Sequence, residues 1–182
     1  MDHAIAVDGV PSDAGISREA RFEQLFAEYY GDIVAYLCRL VGDQKQAEDL
    51  AQDAFLKAYR ALDRLPVEAN TRAWLYRIAT NTALDWLRRR RLISWFPLFD
   101  RDTHPAVRTV FAEASLESVA VQQALGRLSS RYRVPLVLYA CQGLSTQEIA
   151  EILQISRGAV KTRLFRAQEK FRRLYAPEEV EP

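Results

Sequence analysis

Residues Thr71–Arg91, TRAWLYRIATNTALDWLRRRR, contain neither Gly nor Pro and are long enough for about five helical turns. Asn70 or Thr71 can cap the start of this helix. At about 100° per residue, apolar side chains fall on one face and polar side chains on the other. The core face is predicted to hold Leu75, Ile78, Ala79, Thr82 and Trp86, and the opposite face Arg77, Asn81, Asp85 and Arg88, with Trp74 beside it.

The polar face of this helix runs into four consecutive arginines, Arg88–Arg91. Guanidinium groups bind phosphates, amides contact bases, and aromatic rings stack on unpaired bases. A basic run alone is equally typical of a solvated helix surface, so its function has to be judged from the rest of the chain.

The composition is that of a globular protein, with 182 residues, 49% hydrophobic and 27% charged. The net charge of +1 gives no overall field that would draw the chain to nucleic acid. The charges are segregated instead. Acidic residues cluster at Glu48, Asp49 and Asp53, and basic residues at Arg88–Arg91 and Arg157–Arg173.

Several classes of site are not expected. Cys38 and Cys141 lie in apolar helical patterns without a second Cys or a His at ligand spacing, so both are predicted to be buried free thiols, with no metal and no cofactor. His3 and His104 fall outside the helical segments, and no catalytic residue set is recognisable. No run reaches membrane-spanning length and the N-terminus does not resemble a signal peptide. We therefore expect a cytoplasmic protein that is not an enzyme and does not insert into a membrane.

The segment from Gln44 to about Leu62 is predicted to be a helix with an Ala- and Leu-rich core face. Its other face places Leu56 among polar side chains. An exposed leucine on its own is common, whereas an apolar anchor with a polar rim is typical of a protein-docking patch. Both interpretations stay open. The rim residues are Asp49, Gln52, Asp53 and Arg60.

The C-terminal part predicts a helix-turn-helix. Ser145 and Glu148 form a capping box before the short helix TQEIAEIL, Gln154–Ser156 is a tight turn, and Arg157 begins a longer basic helix. Such a helix fits a major groove, although a basic surface helix of a bundle would share the composition. The candidate DNA-contacting residues are Arg157, Lys161, Thr162, Arg163, Phe165 and Arg166.

The fold class is predicted to be all-α, with two small helical domains joined by a flexible linker, the C-terminal one a helix-turn-helix. The bounds are a disordered tail over 1–16, a helical domain over 17–92, a linker over 93–114, the helix-turn-helix domain over 115–176 and a tail over 177–182. The linker contains an apolar cluster at Trp95–Phe99. Because exposed aromatic side chains are unfavourable in water, this cluster is expected to pack on the second domain or on an inhibitory partner.

Three segments, QAEDLAQDAFLKAYRAL, TRAWLYRIATNTALDWLRRRR and GLSTQEIAEILQISRGAVKTRLFRAQEKFRRL, together resemble the extracytoplasmic-function sigma factors of bacterial RNA polymerase, in the sigma-70 family. The resemblance covers about residues 20 to 175 and preserves the order of the segments. It implies a region 2-like domain and a region 4-like domain. It also implies a subunit that directs core polymerase to specific promoters and helps open the −10 region.

The resemblance implies a role for each polar face. Asp49, Gln52, Asp53, Leu56 and Arg60 would contact the clamp helices of the polymerase β′ subunit. The single-stranded −10 element would be held by Arg64, Trp74, Arg77, Asn81, Asp85, Arg88 and Arg89, with the loop over 63–70. The basic helix from Arg157 would read duplex −35 DNA. Further implied partners are the flap of the β subunit, promoter DNA and an anti-sigma factor, which could hold the protein at a membrane.

Two other functions remain alternatives at this stage. A stand-alone helix-turn-helix regulator would bind a duplex operator as a dimer without polymerase. A helical adaptor would bind only protein, and its basic helices would merely be solvated. The regulator leaves the Leu56 face and the Thr71 helix without a role.

Overall fold

The computed structural model of the chain describes residues 17–66, 68–93 and 116–175, without the side chains of residues 91–93 and 116. Within these ranges the secondary structure is entirely helical, as predicted, and the predicted tails and the Trp95–Phe99 cluster lie outside them. The elements are α1 (Arg18–Val41), α2 (Gln44–Ala61), a 3₁₀ turn (Leu62–Arg64), α3 (Thr71–Ile93), α4 (Leu116–Arg127), α5 (Ser130–Ala140), α6 (Thr146–Leu153) and α7 (Arg157–Tyr175).

Local caps define the hairpin of α1 and α2. The Ser17 side chain accepts a hydrogen bond from the Ala20 amide at 3.2 Å at the start of α1. Gly42 ends α1 in the left-handed conformation, with φ of 79°, which a residue without Cβ adopts at low cost. Asp43 Oδ1 then accepts a hydrogen bond from the Gln46 amide at 2.8 Å. These caps bring α2 back along α1.

Helix α3 is capped by Asn70, whose Oδ1 accepts a hydrogen bond from the Ala73 amide at 2.9 Å. The predicted core face is correct, since Leu75, Ala79 and Thr82 are buried and the two remaining members of the face are half-buried. The buried arc is wider than predicted because it also includes Tyr76 and Thr80.

The wider arc of α3 contains a buried polar network. The Tyr36 and Thr80 hydroxyl oxygens are 2.7 Å apart, and the Thr80 hydroxyl also donates to the Tyr76 carbonyl at 2.6 Å. The rings of Tyr36 and Tyr76 meet edge to face, with centroids 5.2 Å apart. Because each buried hydroxyl has a partner, its removal from water is compensated.

The predicted helix-turn-helix is formed by α6 and α7. The Ser145 side chain accepts from the Glu148 amide at 3.2 Å, and Glu148 Oε2 accepts from the Ser145 amide at 2.8 Å, which completes the capping box. Gln154 makes the turn with φ of 53°. Ser156 accepts from the Ala159 amide at 3.1 Å and so caps α7.

The two groups of helices, α1–α3 and α4–α7, pack against each other. Helix α1 contacts α4 and α5, helix α3 contacts α6, and buried residues of both groups form one core. This packing was not predicted from the sequence. One prediction about the core was wrong, because Cys38 is buried but Cys141 is exposed in the turn that follows α5.

Candidate nucleic-acid interface

The first candidate surface is the α2 face, defined as Asp49, Gln52, Asp53, Leu56 and Arg60. All of these side chains are exposed. Leu56 is 54% exposed, whereas the adjacent Phe55 is 2% exposed and belongs to the core. The structure therefore presents an apolar side chain on the surface, with acids and an amide beside it.

The α2 face has a rigid support. Phe55 packs under it against aromatic rings of α1, with centroids 5.0 Å from Phe26 and 6.2 Å from Phe22. On the side towards α3, Lys57 Nζ donates a hydrogen bond to Thr82 Oγ1 at 2.9 Å. Helix α2 is therefore fixed from both sides, and the Leu56 side chain stands on its exposed surface.

The second candidate surface is the α3 face, defined as Arg64, Trp74, Arg77, Asn81, Asp85, Arg88 and Arg89. Trp74 and Asp85 are half-buried and the other five are exposed. The structure divides this set. Arg64, Trp74 and Arg77 line a cleft of about 280 Å³, together with the loop before α3 and residues of α6. The remaining members do not line this cleft and lie further along α3.

The distal part of the α3 face carries internal pairs. Arg88 Nη1 and Asp85 Oδ1 form an exposed ion pair at 3.1 Å. The guanidinium of Arg90 lies over the Trp86 ring, 5.1 Å from its centroid. An exposed pair of this kind is weak, so Arg88 can exchange Asp85 for a phosphate at little cost.

The third candidate surface is the α7 face, defined as Arg157, Lys161, Thr162, Arg163, Phe165 and Arg166. All are exposed except Arg163, which is half-buried, and Phe165 is 70% exposed. Arg157 Nε donates to Thr146 Oγ1 on α6 at 3.1 Å, which fixes its side chain. The Thr162 hydroxyl donates to the Gly158 carbonyl at 3.1 Å, leaving its methyl group for an outside contact.

Several polar residues without a predicted role link the two groups of helices. Arg72 Nη2 donates to the Gln142 carbonyl at 2.5 Å, and the Tyr76 hydroxyl donates to Gln142 Oε1 at 2.6 Å. Gln122 is 6% exposed and donates to the carbonyls of Cys38 and Arg39. A glutamine within the apolar pattern of α4 was the one sequence signal for this interface.

Two ionisable groups at the interface have shifted pKa values. Burial raises the pKa of Tyr76 to about 12, so its hydroxyl remains a donor at neutral pH. The pKa of Glu148 is lowered, first by the Ser145 amide and then by smaller contributions that include Asn70 and Arg72 of the other group of helices. At neutral pH the Tyr76 hydroxyl therefore stays protonated and the Glu148 carboxylate stays charged, as their hydrogen bonds across the interface require.

Within the described residues, no helix is both long enough and apolar enough to cross a bilayer. The His, Cys, Asp and Glu side chains among these residues form no group of three or more that could hold a metal ion.

Comparison with known proteins identifies the family. The profile of Sigma-70 region 2 matches residues 25–93, and that of Sigma-70, region 4 matches residues 118–171. The ECF RNA polymerase sigma factor SigW of Bacillus subtilis is 35% identical in a 158-residue alignment that covers 80% of this chain and 84% of the relative. The chain belongs to the ECF RNA polymerase sigma factors. SigM of Mycobacterium tuberculosis, another ECF sigma factor, is 36% identical over 84% of this sigma factor and 76% of its own length.

Solved structures show the same fold. The sigma factor RpoE of Bartonella quintana, in complex with the anti-sigma factor NepR, has a TM-score of 0.71 and 26% identity, covering 87% of this sigma factor and 99% of that chain. CnrH, in complex with the cytosolic domain of CnrY, has a TM-score of 0.65 and 32% identity, covering 88% and 90%. The family predicted from the three sequence segments is confirmed. The chain is an RNA polymerase sigma factor, and the stand-alone regulator is not favoured.

Proposed function

We propose that this sigma factor directs core RNA polymerase to promoters by dividing three tasks among its three exposed faces. The α2 face docks on the clamp helices of the β′ subunit. The α7 face reads duplex −35 DNA, and the α3 face captures the −10 element as single strand. The protein acts by binding and is not an enzyme. The observation that carries the proposal is that one chain of this family carries all three faces, most of whose side chains are exposed.

Leu56 supports the docking role of α2. A half-exposed leucine among acids, an amide and an arginine has the composition of a small interface centre, with a polar rim that excludes water once the partner is seated. Asp49 and Asp53 add negative charge, which favours a basic partner surface. A helix pair such as the β′ clamp is a suitable occupant because α2 offers one continuous face.

The cleft beside α3 supports the −10 role. An unpaired base exposes both its ring faces and its hydrogen-bonding edge, so it can stack on Trp74 while Arg64 and Arg77 hold the neighbouring phosphates. Stacking contributes roughly 1–3 kcal/mol per base. Paired bases cannot enter such a cleft, so binding there favours the open strand over the duplex.

The shape and charge of α7 support the −35 role. Its inward face is buried through Val160, Leu164 and Ala167, and its outward face carries Lys161 and Arg166. A helix presented in this way fits a major groove, where a good bidentate base contact discriminates by roughly 1–3 kcal/mol. The adjacent cations then bind the phosphates on either side of the groove.

Each DNA contact is expected to be weak without polymerase. The net charge of +1 gives the free protein little general attraction to DNA. Once the α2 face has docked, both DNA-binding faces are held beside the same promoter, and their effective local concentration rises. Promoter selection is therefore a property of the holoenzyme.

The remaining partners are also part of the proposal. We assign residues 17–92 to polymerase and −10 binding and residues 115–176 to −35 binding, with the flap of the β subunit as the contact of the C-terminal half. RpoE was solved with the anti-sigma factor NepR, and CnrH with the cytosolic domain of CnrY. An anti-sigma factor is proposed for this sigma factor, which would then be cytoplasmic or held at a membrane through that partner.

Reconstitution with purified core polymerase tests the proposed function. The sigma factor is added to core enzyme on fragmented genomic DNA, and the 5′ ends of the transcripts are sequenced. We expect start sites that share −10 and −35 elements and that disappear in the triple variant Arg157→Glu, Lys161→Glu, Arg166→Glu. Transcripts with no shared upstream elements, or tight duplex operator binding by the protein alone, would contradict the proposal.

A further inference from the structure

One residue in the first turn of α1, Arg18, holds the end of α2 and the 3₁₀ turn that follows it. Its Nη2 donates a hydrogen bond to the Tyr59 carbonyl at 2.6 Å, and its Nη1 forms an ion pair with Asp63 Oδ2 at 3.1 Å. The guanidinium also lies over the Tyr59 ring, 4.2 Å from its centroid. Arg18 thus joins the start of α1 to the point at which the chain leaves α2.

The surroundings of Arg18 fix its side chain. The Tyr59 ring meets the Phe22 ring edge to face, with centroids 5.0 Å apart, and the Phe22 and Phe55 centroids are 6.2 Å apart. Arg18 is half-buried, and its Nε is buried without a hydrogen-bond partner among the described residues. A buried donor without a partner is unfavourable, and an apolar side chain would avoid that cost. Stability alone therefore does not account for a guanidinium at this position.

The ion pair with Asp63 also contributes little to stability. Asp63 is exposed, and exposed ion pairs add little to the free energy of unfolding. The Tyr59 carbonyl lies in the last turn of α2, where the free carbonyls carry partial negative charge and favour a cation. Arg18 is therefore held at the helix end, and from there it selects one orientation of the Asp63 side chain.

The 3₁₀ turn gives this contact a consequence for Arg64. A 3₁₀ helix has about three residues per turn, so consecutive side chains point about 120° apart. Leu62, the first residue of the turn, is buried. Asp63 is held by Arg18, and Arg64 lines the cleft beside α3. With the first two directions fixed, the third is fixed as well.

The loop that follows depends on the same turn. The Leu65 amide donates to the Leu62 carbonyl at 3.0 Å, and Leu65 and Pro66 then line the cleft. At its far end the loop reaches Asn70, which caps α3. A loop with both ends fixed has fewer conformations to lose on binding, so its cleft-lining groups are preorganised for a ligand.

We propose that Arg18 is a positioning residue for −10 recognition, which holds Asp63 and thereby directs Arg64 towards a phosphate of the unpaired strand. This inference rests on the proposed −10 role of the α3 face and adds a residue of α1 to it. Arg18 itself does not line the cleft. Its loss therefore weakens binding of the strand although every side chain assigned to the DNA contact is still present.

The first test measures binding of the holoenzyme to forked DNA, which is duplex upstream and single-stranded over the −10 position. Wild-type holoenzyme selects from a pool with a randomised single-stranded segment, and a labelled fork with the selected sequence is titrated by anisotropy. Arg18→Met keeps an unbranched stem without the guanidinium, and we expect about fivefold weaker binding. Arg39→Met removes the same group from an exposed position near the other end of α1 and should bind like wild type. Equal affinities of Arg18→Met and wild type would overturn the inference.

A double-mutant cycle separates positioning from a general loss of structure. In an Arg64→Ala background, Arg18→Met should have no further effect on fork binding, because the group that it positions is already absent. Asp63→Ala alone should weaken binding about as much as Arg18→Met, since either change breaks the ion pair. Additive losses from Arg18→Met and Arg64→Ala, or reduced co-purification of Arg18→Met with core polymerase, would show a structural effect and overturn the inference.

The same selection distinguishes failure of this inference from failure of the proposed function. If wild-type holoenzyme enriches no sequence in the single-stranded segment beyond core polymerase alone, the −10 role fails and the role of Arg18 fails with it. If wild type enriches a sequence but Arg18→Met binds the selected fork equally well, the −10 role stands and only the role of Arg18 fails.

Discussion

The hydroxyl of Tyr76 on α3 donates a hydrogen bond of 2.6 Å to Oε1 of Gln142, in the turn between α5 and α6. The same tyrosine accepts at its carbonyl from Thr80, which in turn contacts Tyr36 of α1. A line of polar contacts thus leads from the core of the N-terminal helices to the helix-turn-helix half. Since burial raises the pKa of Tyr76 to about 12, the donor keeps its proton at any pH near neutrality.

Tyr76→Phe should lower the free energy of unfolding by about 1 kcal/mol, since it removes the hydroxyl and leaves Gln142 Oε1 without that donor. Urea unfolding followed by circular dichroism measures the change. Tyr139→Phe is the matched control because Tyr139 is 45% exposed on α5. If both variants unfold at the same urea concentration as wild type, the contact adds nothing to stability.

Leu56→Asp should weaken binding to core polymerase by at least about 2 kcal/mol, or about thirtyfold, as expected for an anchor at an interface centre. The fold should be unaffected because Leu56 is already 54% exposed. Co-purification with core enzyme and thermal unfolding report the two properties separately. Leu56→Met keeps an apolar side chain of similar size and should retain binding. Normal co-purification of the Leu56→Asp variant would show that the α2 face does not dock on core polymerase.

Asn81→Ala should impair promoter opening and spare −35 binding. Asn81 is exposed on α3, one helical turn beyond Arg77 of the cleft, so an unpaired base leaving the cleft can reach it. Loss of one hydrogen bond predicts about a fivefold slower opening, or about 1 kcal/mol. Permanganate footprinting measures opening, with exposed Gln123→Ala as control. A defect of the same size on a pre-melted template would show that Asn81 acts after strand separation.

The elements of the fold were predictable because their signals are local. Asn70 and Ser145 each cap the helix that the sequence pattern assigned to them. A cap and the helix that it starts lie within a few residues of each other, so no knowledge of the rest of the fold is needed. Periodicity then gave the buried and exposed faces of α2, α3 and α7.

The contacts between the two groups of helices were not predictable, because periodicity reports burial and not the partner. Arg72 and Gln142 are 70 residues apart in the chain, and neither is among the predicted contact residues. The exposed Cys141 illustrates a related failure. It continues the apolar pattern of α5, but the helix ends one residue earlier at Ala140, so the side chain leaves the core.

The candidate site likewise has a part that the sequence predicts and a part that depends on tertiary packing. Most exposed members of the three faces follow from helical spacing, whereas Arg64 and Arg89 were implied only by the family resemblance. That Arg64, Trp74 and Arg77 share a cleft while Asn81 and Arg88 do not depends on how the preceding loop and α6 pack. The predicted packing of the Trp95–Phe99 cluster concerns residues outside the described ranges and stays a prediction.

Phe165→Ala should reduce the affinity of the holoenzyme for −35 DNA and leave the fold intact, since Phe165 is 70% exposed. An aromatic side chain at the outer face of a groove-binding helix is suited to the methyl group of thymine. Loss of one such methyl contact should weaken binding to −35 DNA by about 0.8 kcal/mol, or about fourfold. Replacing the −35 thymines with deoxyuridine should weaken wild type and have no further effect on the variant. If deoxyuridine weakens both proteins equally, Phe165 does not contact those methyl groups.

Lowering the pH should weaken the contact between α6 and α3 through Glu148. The pKa of this carboxylate is below its usual 4.5 because the Ser145 amide, and to a smaller extent Asn70 and Arg72, favour the charged form. A group whose pKa is lower in the folded state stabilises the fold above its unfolded pKa and loses that contribution as the pH falls through the folded value. Urea unfolding of wild type and Glu148→Gln, from about pH 7 down to about pH 3, measures this.

The wild-type free energy of unfolding should fall more steeply below about pH 4.5 than that of Glu148→Gln, because glutamine cannot be protonated in that range. Glu23→Gln removes an exposed acid of α1 that does not line the cleft, and it is the control for net charge. Parallel pH profiles for wild type and both variants would mean that Glu148 does not couple the two groups of helices.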